Sequence, residues 1–184
     1  AGNNAFYDPE RPHSLSETGR YFLGGMMALA PEMMLFYAPY INSYKRLRNT
    51  GGAPNTLSWG KDNRTTSFRM DGSGKSCRIE NRIPGADANH YLVLAACLAS
   101  GLYGIEHRID IPEPVRGNAS ALADAVKLPT HLPEAVRLLE RSDRVRELLG
   151  DNVVNHYLTA ANNEIDQYFT DVTDWERSKY FEFI

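Results

Sequence analysis

The sequence predicts an α+β domain: an antiparallel sheet backed by helices, with a helical C-terminal region. Three observations carry this. Strand-like runs are confined to residues 55–83, with turn residues between them. Helical periodicity fills the segments on both sides of that region. The two kinds of segment are segregated, which argues against an alternating α/β fold with a parallel sheet. No repeat, low-complexity tract or linker divides the 184 residues, a length that can bury one sizeable core.

The elements follow in order. Residues 1–13 are polar and turn-rich, with Pro9 and Pro12. Residues 14–30 read as a helix, with Ser14 as N-cap and Glu17 completing a capping box. Met26, Met27, Met33 and Met34 suit core packing, although methionine runs also serve adaptable binding surfaces. Pro31 opens a second short helix. Residues 48–54, with Gly51-Gly52, read as a mobile loop. Residues 55–60, 65–70 and 76–83 read as strands, and Asp71-Gly72-Ser73-Gly74 turns the chain between the last two. Pro84-Gly85 ends the sheet. Residues 87–107 read as a helix capped by Asp87, apolar almost all round and so buried on the back of the sheet. Residues 109–129 are irregular. Helices then follow over 133–149, which ends at Gly150, and over 151–169. A last one, to residue 183, starts from the Thr173–Glu176 capping box.

Composition narrows the function. A net charge of −3 gives no electrostatic case for nucleic acid. Cys77 and Cys97 form no CxxC pair and no disulfide framework, which suits a reducing, cytoplasmic setting. There is no apolar run of membrane-spanning length and no secretory leader pattern. The scattered histidines have no metal-ligand spacing, and no serine or cysteine has a convincing base beside it.

The chemistry concentrates in one stretch. As a strand, residues 78–83 put Arg78, Glu80 and Arg82 on one face, each about 7 Å from the next. With Arg46, Arg64, Arg69 and Lys75, seven such charged residues fall within 37 positions. Arginine forks suit phosphate and carboxylate oxygens, and Glu80 suits Mg²⁺ or Mn²⁺ beside nucleotide phosphates. The ordinary alternative is a solvated face on which the arginines pair with Asp62, Asp71 and Glu80. The arginines outnumber those acids, which leaves positive charge for a ligand. Gly74-Lys75-Ser76 imitates the end of a phosphate-binding loop without its full spacing.

An ordered set of motifs resembles the C-terminal half of the glutamine synthetase catalytic domain: Asn42-Ser43-Tyr44-Lys45-Arg46-Leu47, Ala53-Pro54, Asn63-Arg64, Arg69, Lys75, Arg78-Ile79-Glu80-Asn81-Arg82 and Pro84 to Leu92. The resemblance covers essentially the whole chain. It implies part of that family's half-barrel, and ATP-dependent ligation of ammonia or a larger amine to the γ-carboxylate of glutamate through γ-glutamyl phosphate. It also implies roles. Arg46 and Arg82 would bind glutamate. Arg64 would stabilise the phosphoryl group in transfer. Arg69, Lys75 and Arg78 would hold ATP, and Glu80 would ligate Mg²⁺ or Mn²⁺. The parent protein would be a cytoplasmic homo-oligomer with ring assembly.

Two departures qualify this. Members of the family are much longer. Their N-terminal β-grasp domain and the first half of the catalytic domain, with the ExE metal ligands, the NGxG loop and a metal-binding histidine, have no counterpart in residues 1–184. The expectation is a fragment that is inactive alone. Second, Gly52 stands where the family carries the glutamate that receives ammonium, so a larger amine is expected. His90 replaces the usual proline before Tyr-Leu, with a modest effect on the helix start. A non-catalytic homologue serving as sensor or scaffold has no need of the full arginine set. A guanidino kinase would lack the Asn-Ser-Tyr-Lys-Arg segment.

Overall fold

The computed structural model describes residues 2–48 and 52–183. The segregated α+β architecture is present. Three helices come first: α1 (Glu17–Leu29), α2 (Met34–Tyr37) and α3 (Ile41–Arg48). The strands follow as β1 (Trp59–Lys61), β2 (Phe68–Asp71) and β3 (Arg78–Asn81). The helices α4 (His90–Glu106), α5 (Leu132–Glu140), α6 (Asp143–Leu149), α7 (Asp151–Thr170) and α8 (Asp174–Tyr180) complete the chain.

The sheet order is β1-β2-β3. β2 and β3 are antiparallel, with Arg69 opposite Glu80 and Asp71 opposite Arg78. β1 runs parallel to β2, which corrects the expectation of antiparallel pairing throughout. Residues 55–57 do not extend β1. They pair with residues 126–128 through a Thr56–Lys127 bridge and the Leu57 to Val126 hydrogen bond. Strand alternation sorts the sheet as expected. Phe68 and Met70 are buried on one face, and Arg69 and Asp71 project from the other.

Several helix boundaries move. Ser14 does not cap α1; it sits in a short 3₁₀ turn with φ +58°. Ser16 is the cap, and its hydroxyl accepts from the Gly19 amide at 3.0 Å. Asp87 is not the cap of α4 either. Asn89 is, and Asp87 instead accepts a hydrogen bond from Ser43. His90 takes the first helical position, where proline is also well suited. Residues 133–149 form two helices, because Ser142 caps a new start at α6. The Thr173–Glu176 capping box forms as expected.

The core joins α1, α2, α3, the apolar sheet face and parts of α5 to α7. All four methionines of residues 26–34 are buried in it. α4 corrects the sequence reading. It packs on α1 rather than across the back of the sheet. A Cβ on Gly25 would meet the Ser100 carbonyl at 2.1 Å, and one on Gly104 the Tyr21 carbonyl at 2.1 Å. Glycine alone permits this approach. The opposite side of α4 is open: Tyr91, Leu94, Leu98 and Leu102 are all more than half exposed.

Candidate active site

The charged face of β2 and β3 is a continuous network. The Glu80 carboxylate is shared: one oxygen accepts from Arg69 at 3.0 Å and the other from Arg82 at 2.9 Å. Arg69 also pairs with Asp62 and lies 3.3 Å from Asp71. Arg78 pairs with Asp71 and donates to the Ser76 carbonyl. The ion-pair partners named by the ordinary reading are therefore all in place. The guanidinium of Arg69 holds the Asp62 carboxyl below the usual aspartate range, and Asp62 and Glu80 in turn raise Arg69.

Two clefts flank this network. One, of about 530 Å³, is lined by Arg46, Gly52, Ala53, Glu80, Asn81, Arg82 and Pro84. Arg46 reaches it from α3, and its guanidinium donates to the Ile83 carbonyl. Arg82 is held by Glu80 and by the Gly52 carbonyl at 3.2 Å. The Nε–H groups of Arg46 and Arg82 are both buried, and neither has an acceptor among the described residues. A buried donor without a partner costs about 1–3 kcal/mol, more when it is charged. The two arginines both line the cleft, so an anionic ligand there would meet two guanidiniums.

The second cleft, of about 930 Å³, is lined by Arg64 and Arg69 together with His13, Lys61, Asp62, Asn63 and residues 114–117. The Arg69–Glu80 pair therefore bridges the clefts. Lys75 and Arg78 line neither; both are exposed, on the hairpin turn and the start of β3. The site residues thus fall into three groups along one sheet surface rather than one pocket.

Gly52 has φ +109°, and a Cβ built on it meets nothing within 4 Å. Space is open there, in a backbone conformation that suits glycine. Of the loop read as mobile, residues 49–51 lie outside the described residues. Among the described residues no group of three metal-ligating side chains exists. Glu80 would contribute one ligand to a divalent ion, and both its oxygens are engaged by arginines.

The sequence reading missed the second cleft's far wall. Arg116 and Val115 lie some fifty residues from Arg64 in the chain, in a segment read only as irregular. The Asn63 amide, which ties that segment down through the Val115 and Gly117 carbonyls, gave no periodic signal.

The family model for the glutamine synthetase catalytic domain matches residues 1–180. The chain belongs to this family. It is 46% identical over 168 residues to a gamma-glutamylethanolamide synthetase, GlnA4, of Streptomyces coelicolor, covering 91% of this chain and 36% of that protein. It is 44% identical over 187 residues to a glutamate–isopropylamine ligase of a Pseudomonas species, covering 100% of this chain and 41% of that protein. A solved structure of GmaS without ligand superposes with a TM-score of 0.87 at 33% identity, covering 98% of this chain and 42% of that one. The chain spans about two-fifths of the length of these relatives.

Proposed function

We propose that the protein carrying this chain ligates an amine to the γ-carboxylate of glutamate at the expense of ATP. The observation that carries this is the single cleft lined by both Arg46 and Arg82 beside Glu80. Two arginines lining one cleft suit a dicarboxylate. Arg46 and Arg82 hold glutamate there. The terminal phosphoryl group passes from ATP to the γ-carboxylate, giving γ-glutamyl phosphate and ADP. The amine then attacks the acyl carbon, the C–O bond to phosphate breaks, and the amine's surplus proton leaves. Arg64 neutralises oxygen charge during phosphoryl transfer, and Arg69, Lys75 and Arg78 hold the nucleotide phosphates. A bound Mg²⁺ or Mn²⁺ would supply further charge neutralisation, with Glu80 as one of its ligands. The remaining ligands come from sequence outside residues 1–184, which form the C-terminal part of the catalytic domain. The 184 residues alone are inactive on this reading. The full-length protein is a cytoplasmic homo-oligomer with ring assembly.

The amine is larger than ammonium. Gly52 leaves open space where the family's ammonium-binding glutamate would stand, and two relatives carry the names of ethanolamide and isopropylamine ligases. Turnover of the full-length enzyme with ammonium, ethanolamine and isopropylamine tests both parts. A preference for ammonium sinks the larger amine. No ATP-dependent γ-glutamyl transfer to any of them sinks the ligase.

A further inference from the structure

The two arginines assigned to glutamate meet at one residue, Ile83. Arg46 donates to its carbonyl, and Arg82 precedes it in the chain. Ile83 is fully buried, and its amide has one acceptor among the described residues, the Asn81 Oδ1 at 3.1 Å. The same side chain reaches α4, where its Nδ2 donates to the Cys97 Sγ at 3.4 Å. Cys97 in turn lies 3.8 Å from the hydroxyl of Tyr37, which is wholly buried at the end of α2. The direction of the Asn81 amide is dictated by these partners. The Ile83 N–H can only donate, so oxygen must face it, and nitrogen is left to face the sulfur. Asn81 thus spans Arg82, gripping the chain just beyond it and anchoring that grip to a helix. The strand does not do this. β3 ends at Asn81, and the last main-chain bond toward β2 runs from the Arg82 amide to the Ser67 carbonyl at 2.9 Å. Sheet pairing therefore leaves Ile83 to be fixed by other means.

The ordinary reading is a local turn. Asparagine commonly closes the chain onto the amide two residues on, and aspartate does so as well. Two observations exceed that. A local turn has no need of Cys97, sixteen residues away on another element. The residue so held is also the one whose carbonyl takes Arg46. We propose that Asn81 is a positioning residue for the glutamate cleft: its amide, braced by Cys97, sets the direction of Arg82 and, through the Ile83 carbonyl, that of Arg46. Both ends of the amide are spent on protein partners, so Asn81 acts through the two arginines rather than on the substrate. The inference rests on the ligase reading and adds to it a residue to which that reading gives no role.

The test is steady-state kinetics of the full-length enzyme with glutamate and ATP varied in turn, together with calorimetric titration by glutamate. Asn81→Ala is expected to raise the KM and Kd for glutamate by about tenfold, with the KM for ATP within about twofold. A merely structural role would lower the folded fraction, and so the apparent kcat, without moving either glutamate constant. Cys97→Ala keeps the local turn and removes only the brace, and it carries the test if the Asn81 variant does not fold. It is expected to raise the glutamate constants by about threefold, the value of one weak hydrogen bond. Cys97→Ser restores an acceptor and should bring them back toward those of the unaltered enzyme. The proposal is overturned if either alanine variant leaves the glutamate constants unchanged, or if the KM for ATP rises as much as that for glutamate. Equal behaviour of Cys97→Ser and Cys97→Ala would show that packing alone matters there, and overturns it too. With the unaltered enzyme active, each of these results leaves the proposed function standing. An unaltered enzyme that neither binds glutamate nor ligates it overturns the proposed function itself, and this role with it.

Discussion

At the scale of residues, the arginines differ by what already occupies them. Arg82 uses one nitrogen on Glu80 and one on the Gly52 carbonyl, and its buried Nε–H has no acceptor among the described residues. Lysine cannot make three directed bonds from one planar group. Arg82→Lys is expected to raise the KM for glutamate by about tenfold or more, with a smaller fall in kcat, in steady-state assays of the full-length enzyme. The Asp62–Arg69 pair makes a pH prediction. Asp62 is depressed chiefly by its hydrogen bond to Arg69. Its contribution is therefore present above the ordinary aspartate value and is lost only as pH falls through the lowered folded value. In a carboxyl-carbon NMR titration, Asp62 should titrate below the usual range, and Arg69→Gln should return it there. Much of this was legible, because alternation on a strand assigns faces without further information. The sharing of Glu80 between two arginines was not. Alternation says which residues share a face, while register decides that Arg69 meets Glu80.

Elements set where those residues stand. α1 begins at Ser16, whose hydroxyl both accepts from the Gly19 amide and donates to the Ala5 carbonyl at 2.6 Å. Ser16→Ala should cost about 1 kcal/mol or slightly more in denaturant unfolding, and Ser14→Ala markedly less. The Ser14 reading failed for a local reason: two serines two residues apart both precede acceptable first turns, and tertiary bonds to residues 5 and 6 chose between them. α1 and α4 then meet through glycines. Gly104→Ala would drive a methyl group into the Tyr21 backbone. Backbone cannot give way as a side-chain tip can, so a loss of about 1–3 kcal/mol or more is expected, read as a lowered thermal midpoint. The glycines were visible in the sequence, but their partners were not. All-round apolarity of residues 91–102 identified a helix correctly and its surroundings incorrectly, since it cannot distinguish a side packed by this chain from a side left bare.

At the scale of the whole molecule, that bare side is informative. Leu94, Leu98 and Leu102 are 61%, 56% and 60% exposed, in a chain that matches about two-fifths of its relatives' length. Contiguous apolar surface of this kind is usually covered. The isolated 184 residues should bind a hydrophobic dye, and Leu98→Glu should reduce that binding without lowering their unfolding midpoint. In the full-length protein the same substitution should be destabilising by about 1.5–3 kcal/mol, the value of one buried leucine. Equal effects in the two would show that nothing packs there. No helix of the described residues is long and apolar enough to cross a membrane. The single carboxylate of Glu80, finally, makes the two clefts parts of one balance. Each oxygen of that carboxylate answers to a different arginine, one lining each cleft, so a shift of Glu80 is felt by Arg69 and by Arg82 alike. If a ligand in one cleft moves Glu80, the affinity of the neighbouring cleft should change with it, and thermodynamic reciprocity would make the return effect equal in size. Measuring the affinity of each ligand with and without the other, in the full-length protein and in Glu80→Gln, would read that coupling directly.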